Sequence, residues 1–589
     1  MSGQLDMVAR AEQLSRSQHW QQAALEWQAV VAVNPVNGVY WDRLAEARFS
    51  TGDYAGALTA YQRAEALGVW PVRGPERVPI TSIFPGEIAY RIASCHALLG
   101  DTDEALAALA RAVRQQLRDL DRAATDTHLA SLHDDPRFRD LLGAGGHGAA
   151  LSRVDGWRAD LRTLRREIDR RIPFREVVDA AFAAAVANLD RAIPDLDDAR
   201  IVVEMWRLLR RLGDGHARID TSQAFPDWSR CLPIWFFLFD EGLFIPQAEP
   251  RYESLLGAQV MAIDGRPVPK VVDALDPLLT RDNDYGPMAN APIWMRQPAF
   301  LHAVDVADDP SVLTLTVRLA GGGVRDVTVA AEAAPKPHPW PSWCTPTSLR
   351  FTGGTHGPAY LRDVDNRYWF EYLPAENLVY FQFNSIGDKP DEPLAAFYQR
   401  MFTAIDDHDA ATLVVDLRWN GGGNTFLAEP LVHHIIRRER INRHGGLFVI
   451  IGRNTFSAAQ NTTTFLDRHT RAVFVGEPTG SRPNFVGETV PFRLPYSAIE
   501  VNVSDLYWQT SWPTDRRTAI APDIYAPPTF AAYRANRDPA MDAILTQLGS
   551  DHHEPEPDPV SAQPDPAGDP ADGRRRAGPV PPAVREDRH

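Results

Sequence analysis

The stretch 411–423, ATLVVDLRWNGGG, joins an apolar, strand-like run to three consecutive glycines. A second apolar run, LFVII at 447–451, leads into the turn GRNTFSAAQ at 452–460, and a third, AVFV, follows at 472–475. Helical patterns separate these runs, and short apolar runs that alternate with helices are typical of βαβ units. The sequence therefore predicts an α/β core over 350–548, with functional loops at the carboxyl edge of a largely parallel sheet.

A repeated helical pattern occupies residues 1–142. The residues Trp20, Ala23 and Trp27 recur 34 positions later as Tyr54, Ala57 and Tyr61. A 34-residue period of paired amphipathic helices resembles the tetratricopeptide repeat. The resemblance implies a docking surface for a peptide or protein partner, and a module that only packs and spaces its neighbours is the alternative.

The remaining segments differ in their periodicity. Residues 150–222 show helical spacing, whereas 228–335 contain strand-like runs and a strand–turn–strand element that looks like part of a PDZ module. A glycine-rich linker is predicted at 143–148. The proline-rich residues 549–589 are expected to be disordered. The predicted fold is thus multidomain, with helical repeats, a helical segment, a PDZ-like β-rich module and an α/β core.

The composition excludes several classes of protein. The chain has 589 residues, of which 44% are hydrophobic and 23% charged, a profile typical of soluble globular proteins. No run of 18 apolar residues occurs, so we expect no membrane span and a cytoplasmic location. The net charge of −16 argues against nucleic acid as a partner. The widely spaced Cys95, Cys231 and Cys344 predict neither a disulfide framework nor a metal site.

Two turns of the α/β core carry residues suited to catalysis. In the first, the backbone N–H groups of Gly421 and Gly422 can approach a ligand closely, because glycine has no side chain. In the second, Ser457 begins a helix whose first amide, that of Ala458, favours a developing negative charge. A nucleophilic serine with an oxyanion hole is one interpretation, and a serine that only caps its helix is the other.

The motifs around these turns resemble those of a known family. DLRWNGGG at 416–423 and TFSAAQ at 455–460 are similar to the signature and nucleophile segments of the tail-specific (C-terminal processing) serine proteases. LGDGH at 212–216 and APDI at 521–524 resemble two further elements of that family, so the likeness spans about 150–545. The resemblance implies a crotonase-like α/β fold with helical and PDZ-like insertions. It also implies a serine peptidase that acts on peptides or proteins without a metal or organic cofactor.

The departures from the family pattern decide which mechanism is expected. Many members use a serine–lysine dyad with the lysine about 25 residues after the serine, but Arg482 stands there and no lysine follows Ser457. Arginine stays protonated in proteins and cannot act as a general base. The tricorn-core branch uses serine, histidine and a carboxylate instead, which implies His216 as the base and Asp515 as the acid. Glu477 is a second candidate for the acid.

Two other functions remain open at this point. The fold also occurs in relatives that bind apolar ligands, so a catalytically weak binding scaffold is one alternative. A small-molecule esterase is the other, because the same residues would cleave an ester. Gly215 replaces a polar residue of the tricorn branch, which leaves the groups that assist His216 undefined. The combination of Ser457, the glycine loop and His216 favours the peptidase.

Overall fold

The structure is a computed structural model that describes residues 3–69, 85–115, 117, 119–142, 151–333, 349–350 and 357–551. The predicted linker at 143–148 and the tail beyond 551 lie outside these residues. Within them, the chain runs from a helical N-terminal region to a sheet-rich α/β core, as the sequence predicts.

Consecutive helices pack side by side in the N-terminal region. Its helices are α1 Gln4–Arg16, α2 Trp20–Val33, α3 Gly38–Ser50, α4 Tyr54–Leu67, α5 Pro85–Leu99, α6 Thr102–Arg114 and α7 Pro136–Leu142. From α1 to α6 each helix contacts the next one along the chain. Trp27 and Tyr61, which are 34 residues apart, are both buried, and so are the small residues Ala23 and Ala57. The repeated positions therefore form the core of this region, and its assignment to the tetratricopeptide type stays a prediction.

A helical segment and a β-rich module follow. The helices are α8 Arg153–Arg171, α9 Ala180–Ala192, α10 Asp198–Arg210, α11 Val268–Leu275, α12 Gly286–Trp294 and α13 Pro298–Ala303. The strands are β1 Arg218–Asp220, β2 Arg230–Cys231, β3 Ile234–Phe239, β4 Gly242–Ala248, β5 Gln259–Ile263, β6 Arg266–Pro267, β7 Val312–Arg318, β8 Val324–Ala330, β9 Glu332–Ala333 and β10 Leu349–Arg350. A sheet runs in the order β10-β4-β5-β7-β8, with β3 on β4 and β6 on β5, and β2 pairs with β9. The strand–turn–strand element expected within 228–335 is present as β5 and β6, and its PDZ type stays a prediction.

The α/β core contains a mostly parallel sheet. Its strands are β11 Tyr368–Leu373, β12 Leu378–Phe383, β13 Thr412–Asp416, β14 Leu447–Ile451, β15 Val473–Gly476 and β18 Ile524–Tyr525, which lie in that order across the sheet. The helices are α14 Leu394–Asp407, α15 Glu429–Ile436, α16 Ala458–His469, α17 Phe530–Arg534 and α18 Pro539–Asp551. β11 is antiparallel to β12, and the strands from β12 to β18 are parallel.

Apolar layers cover both faces of this sheet. Leu413 and Val415 of β13 pack with residues of α14, α15 and α16 on one face, whereas Val414 packs with α18 on the other. Strands buried on both faces must be apolar at every position, not at alternate ones. This requirement explains the continuous apolar runs from which the sequence predicts the sheet.

An antiparallel hairpin connects the α/β core to the upstream segments. It comprises β16 Asn484–Arg493 and β17 Glu500–Gln509, and β17 also pairs with β1. Its apolar side chains share one hydrophobic core with α8, α10 and the β-rich module. The hairpin thereby holds the turn that ends α10 against the α/β core, which brings 212–216 close to the loops of the parallel sheet.

Two kinds of feature are absent from the described residues. None of the helices in those ranges is both long and apolar enough to cross a membrane. Among the same residues, no group of three or more His, Cys, Asp or Glu side chains is arranged to hold a metal ion.

Candidate active site

Ser457 lies in the turn between β14 and α16 and has an unusual backbone conformation. Its φ and ψ are 56° and −125°, a region that side-chain-bearing residues rarely occupy. The hydroxyl makes no capping hydrogen bond to the helix that it precedes. Thr455 holds the turn, because its Oγ1 donates to Leu417 O at 2.9 Å and accepts the Gly452 amide at 3.0 Å. Strain at a sharp strand-to-helix turn with a free hydroxyl is typical of a nucleophile, not of a helix cap.

The glycine loop after β13 packs directly against this turn. Gly422 and Gly423 have φ values of 116° and 136°. A Cβ atom at Gly422 would lie 2.7 Å from the Cβ of Ser457 and 3.0 Å from the Ala458 nitrogen. Real Cβ atoms do not approach that closely, so only glycine permits this contact. The two turns that the sequence places at one sheet edge therefore touch.

The amides of the two turns differ in their availability. The Gly422 amide donates to Asn420 Oδ1 at 2.9 Å, so it is not a free donor. The amides of Gly421 and Ala458 donate to no acceptor among the described residues. Of the oxyanion donors expected from the sequence, Gly421 and Ala458 are thus available, whereas Gly422 is engaged in holding the loop.

Asn420 has a structural role that was not predicted from the sequence. It is fully buried, and its Nδ2 donates to Phe383 O at 2.8 Å while its main-chain oxygen accepts the Phe456 amide at 3.1 Å. Together with the bond to Gly422, these contacts join the end of β12, the glycine loop and the serine turn. In the sequence, the signals for Asn420 are its position directly before three glycines and its place in the DLRWNGGG motif.

His216 lies beside the serine turn, although 241 residues separate it from Ser457. Its ring centroid is 4.4 Å from that of Phe456 and 5.6 Å from that of Phe485, which stacks on it. Neither ring nitrogen forms a hydrogen bond within the described part of the chain. The ring of His216 therefore packs against the residue that precedes Ser457, and no hydrogen bond joins it to Ser457 Oγ in this arrangement. A gap of this kind is common before substrate binds, because catalytic hydrogen bonds often tighten only in the complex.

Burial sets the protonation state of His216. Loss of solvent lowers the pKa of the imidazole to about 4, and the nearby backbone of Val486, which lies outside hydrogen-bond geometry, offsets this only in part. At neutral pH the ring is consequently uncharged and able to accept a proton.

The carboxylate with the shortest described distance to His216 belongs to Asp214. Its Oδ1 lies 4.0 Å from the imidazole Nδ1 and accepts the main-chain amide of His216 at 2.9 Å. The other oxygen accepts the Ser504 amide at 3.0 Å. Burial raises the pKa of Asp214 to about 6, so the group is mostly ionised at neutral pH. In the sequence, Asp214 stands out only as part of the motif at 212–216.

The two acids expected from the sequence bind other partners. Asp515 accepts hydrogen bonds from Ser511 Oγ at 2.6 Å and from Arg517, and the Arg517 guanidinium lowers the pKa of Asp515 to about 2. Glu477 forms a buried ion pair with Arg453. Within the described residues, no hydrogen bond or ion pair joins either carboxylate to His216.

Comparison with known proteins identifies the core. Residues 377–526, which contain the glycine loop and the serine turn, match the model of peptidase family S41. The α/β core is a peptidase family S41 domain. The S41 domain places the chain among the serine-type peptidase hydrolases. No curated protein matches the sequence.

Several solved structures are similar to the chain at low identity. Mature CPAF complexed with lactacystin is 12% identical with a TM-score of 0.49, and the match covers 68% of this chain and 98% of that chain. The photosystem II D1 C-terminal processing protease is 14% identical with a TM-score of 0.34, covering 67% and 98%. Tricorn protease is 12% identical with a TM-score of 0.32, covering 68% and 37%.

Proposed function

We propose that the S41 domain hydrolyses peptide bonds with Ser457 as the nucleophile. The observation that carries the proposal is the strained, uncapped conformation of Ser457 directly against the glycine loop. A hydroxyl held in this way has no structural partner to satisfy. The amides of Ala458, the next residue, and of Gly421, in the adjoining glycine loop, bind no acceptor among the described residues.

The chemistry follows the general scheme of serine acyl transfer. Ser457 Oγ attacks the carbonyl carbon of the substrate amide while His216 takes the hydroxyl proton. The amides of Gly421 and Ala458 bind the oxyanion that forms as the C=O electrons move to oxygen. His216 then gives the proton to the leaving amine as the C–N bond breaks, and water hydrolyses the acyl-enzyme by the same steps. Each oxyanion donor is typically worth about 3 kcal/mol of the barrier.

A carboxylate supports the imidazolium that forms on His216 in this scheme. Asp515 is the candidate by position in the sequence, but Ser511 and Arg517 hold its carboxylate. The geometry favours Asp214, because it lies 4.0 Å from Nδ1 and is itself fully buried. We therefore propose Asp214 as the charge that supports His216, with Asp515 stabilising the loop after β17.

The test is labelling of the full chain with a fluorophosphonate probe, followed by intact mass measurement. We expect one adduct on the wild type, none on Ser457→Ala and a rate about a hundredfold or more lower on His216→Ala. Asp515→Asn should keep its labelling rate within a few-fold. Circular dichroism of each variant shows whether it is folded.

A wild-type protein that is folded but takes no label would contradict the proposal. The unbonded ring nitrogens of His216 would then favour the second candidate function, a binding scaffold of the same fold. Label that persists on Ser457→Ala would instead show that another residue is the nucleophile.

We also propose that the helical repeats dock a peptide or a protein partner. The support is that α1–α7 form a hydrophobic core of their own. Such a module can present a surface without depending on the protease chemistry.

A further inference from the structure

A buried aspartate outside the S41 match contacts both sides of the proposed active site. Asp282 lies between α11 and α12 in the β-rich module and is 2% exposed. Its Oδ1 accepts the Gly215 amide at 2.8 Å, directly before His216. Its Oδ2 accepts the hydroxyl of Ser481, in the loop that follows β15. One carboxylate thus connects the histidine turn to a loop of the S41 domain.

The neighbouring residues fasten the same loop. Asn283 Nδ2 donates to Thr479 O at 2.9 Å, and Arg482 Nε donates to the main-chain oxygen of Asp282 at 2.5 Å. The loop in turn reaches the nucleophile, because the amide of Gly480 donates to Thr455 O at 3.1 Å, two residues before Ser457. The contacts therefore form a continuous path from Asp282 to both His216 and Ser457.

The fit between Asp282 and Gly215 depends on the absence of a side chain at 215. A Cβ atom on Gly215 would lie 2.8 Å from Asp282 Oδ1 and 3.0 Å from the ring of Phe456. The carboxylate of Asp282 thus fills the space that a side chain at 215 would take. Asp282 thereby brings a polar group next to Gly215, the position at which the family resemblance implies a polar residue.

We propose that Asp282 is a positioning residue for His216. Asp282 holds the Gly215–His216 turn in register with the loop after β15, which contacts the serine turn. The proposal rests on the proposed function of the S41 domain. Asp282 acts through the Gly215 amide, and Asp214 acts on the next amide, that of His216, so two buried carboxylates fix two successive peptide groups. A misplacement of about 1 Å at a catalytic group can cost about a hundredfold in rate.

The charge of Asp282 also changes near neutral pH. Burial raises the pKa of this carboxyl to about 7, the bonds from Ser481 and Gly215 lower it, and the charges of Asp214 and Arg482 act in opposite directions. Above that pH the carboxylate would stabilise the imidazolium that forms on His216, so ionisation should raise the rate.

The test compares Asp282→Ala, Asp282→Asn and the matched control Asp284→Ala in the full chain. Asp284 is two residues away, and its side chain is 94% exposed. The readout is the second-order rate of fluorophosphonate labelling from pH 5 to pH 9. We expect Asp282→Ala to be at least tenfold slower than the wild type and Asp284→Ala to be unchanged.

The asparagine variant separates positioning from packing. It keeps an acceptor for the Gly215 amide but cannot ionise, so it should recover most of the rate at pH 6 and lack the rise through pH 7. A side chain that only packs would not move the pH profile. The proposal would be overturned if Asp282→Ala were labelled at the wild-type rate, or if the labelling rate of Asp282→Asn kept the wild-type pH profile.

Hydrogen exchange of a peptide covering 212–219 gives a readout that does not need activity. The Gly215 and His216 amides should exchange faster in Asp282→Ala than in the wild type and Asp284→Ala. If the wild type takes no label but this difference is seen, the proposed function fails and the positioning contact stands. Unchanged exchange in Asp282→Ala would refute the contact whatever the labelling shows.

Discussion

At the scale of single residues, the site depends on backbone positions that no side chain can occupy. Gly422 has a φ of 116° and lies against Ser457 and the Ala458 nitrogen, while its own amide is bound by Asn420. Glycine at this position lets the two loops approach, and Gly421 and Ala458 remain as the proposed donors to an oxyanion. The proposed oxyanion hole therefore depends on the absence of a side chain at Gly422 as much as on its donor amides.

Gly422→Ala tests this close approach. The added methyl would force the serine turn and the glycine loop apart, so we expect the labelling rate of Ser457 to fall by about a hundredfold or more. The control is Gly321→Ala in the exposed turn between β7 and β8, where no atom lies within 4 Å of the new Cβ. Both variants are measured by labelling rate and by thermal unfolding. Labelling of Gly422→Ala at the wild-type rate would show that the contact is unimportant.

At the scale of elements, the loop between β15 and β16 carries Arg482 at the position where the family resemblance implies a lysine. Arg482 Nε is bound to the main-chain oxygen of Asp282 at 2.5 Å, so the side chain fastens two loops. A permanently charged guanidinium is suited to that role and unsuited to proton transfer. The base that we propose, His216, lies on a different element, the turn after α10.

Arg482→Lys tests whether the position or the residue type decides the mechanism. We expect the double variant Arg482→Lys/His216→Ala to label as slowly as His216→Ala alone, because a lysine at 482 would still point to Asp282. The single Arg482→Lys variant serves as the control for the loop. A double variant that regains the wild-type labelling rate would mean that a serine–lysine dyad can form here.

At the scale of the whole molecule, the described residues divide into separate hydrophobic cores. One core belongs to α1–α7, and another joins α8, α10, the β-rich module and the β16–β17 hairpin. A hydrogen bond of 2.7 Å from Arg170 to Leu117 O connects the two regions. The repeats should therefore unfold independently of the part that carries His216.

A matched pair of tryptophan variants tests this independence. Trp27 and Trp157 are 1% and 2% exposed in the two cores, and replacing a buried tryptophan with alanine costs about 3–5 kcal/mol of unfolding free energy. Calorimetry should show two unfolding transitions. Trp27→Ala should lower the midpoint temperature of one, and Trp157→Ala that of the other. Labelling of Ser457 should survive in Trp27→Ala and be lost at lower temperature in Trp157→Ala. A single transition shifted by both variants would contradict the division.

The sequence by itself determined the α/β core and the serine turn. Strands such as β13 and β14 are buried on both faces and must be apolar throughout, which makes them visible as continuous runs. The loops that follow parallel strands meet at one edge, so the glycines at 421–423 and Ser457 could be placed together before any coordinates. The sequence analysis did not predict the β16–β17 hairpin, and the pairing of β17 with the distant β1 is a contact that no local pattern reports.

Only the tertiary structure decided which groups surround His216 and which amides are free. Asp282 lies 67 residues from the Gly215 amide that it binds. Asn420 accepts the hydrogen bond of the Gly422 amide, which the glycine pattern had predicted as a donor to the oxyanion. The pKa of His216 is lowered by burial between Phe456 and Phe485, residues from two other elements. Contacts of this kind depend on packing between segments far apart in the chain, whereas local patterns report only what a segment does with its own neighbours.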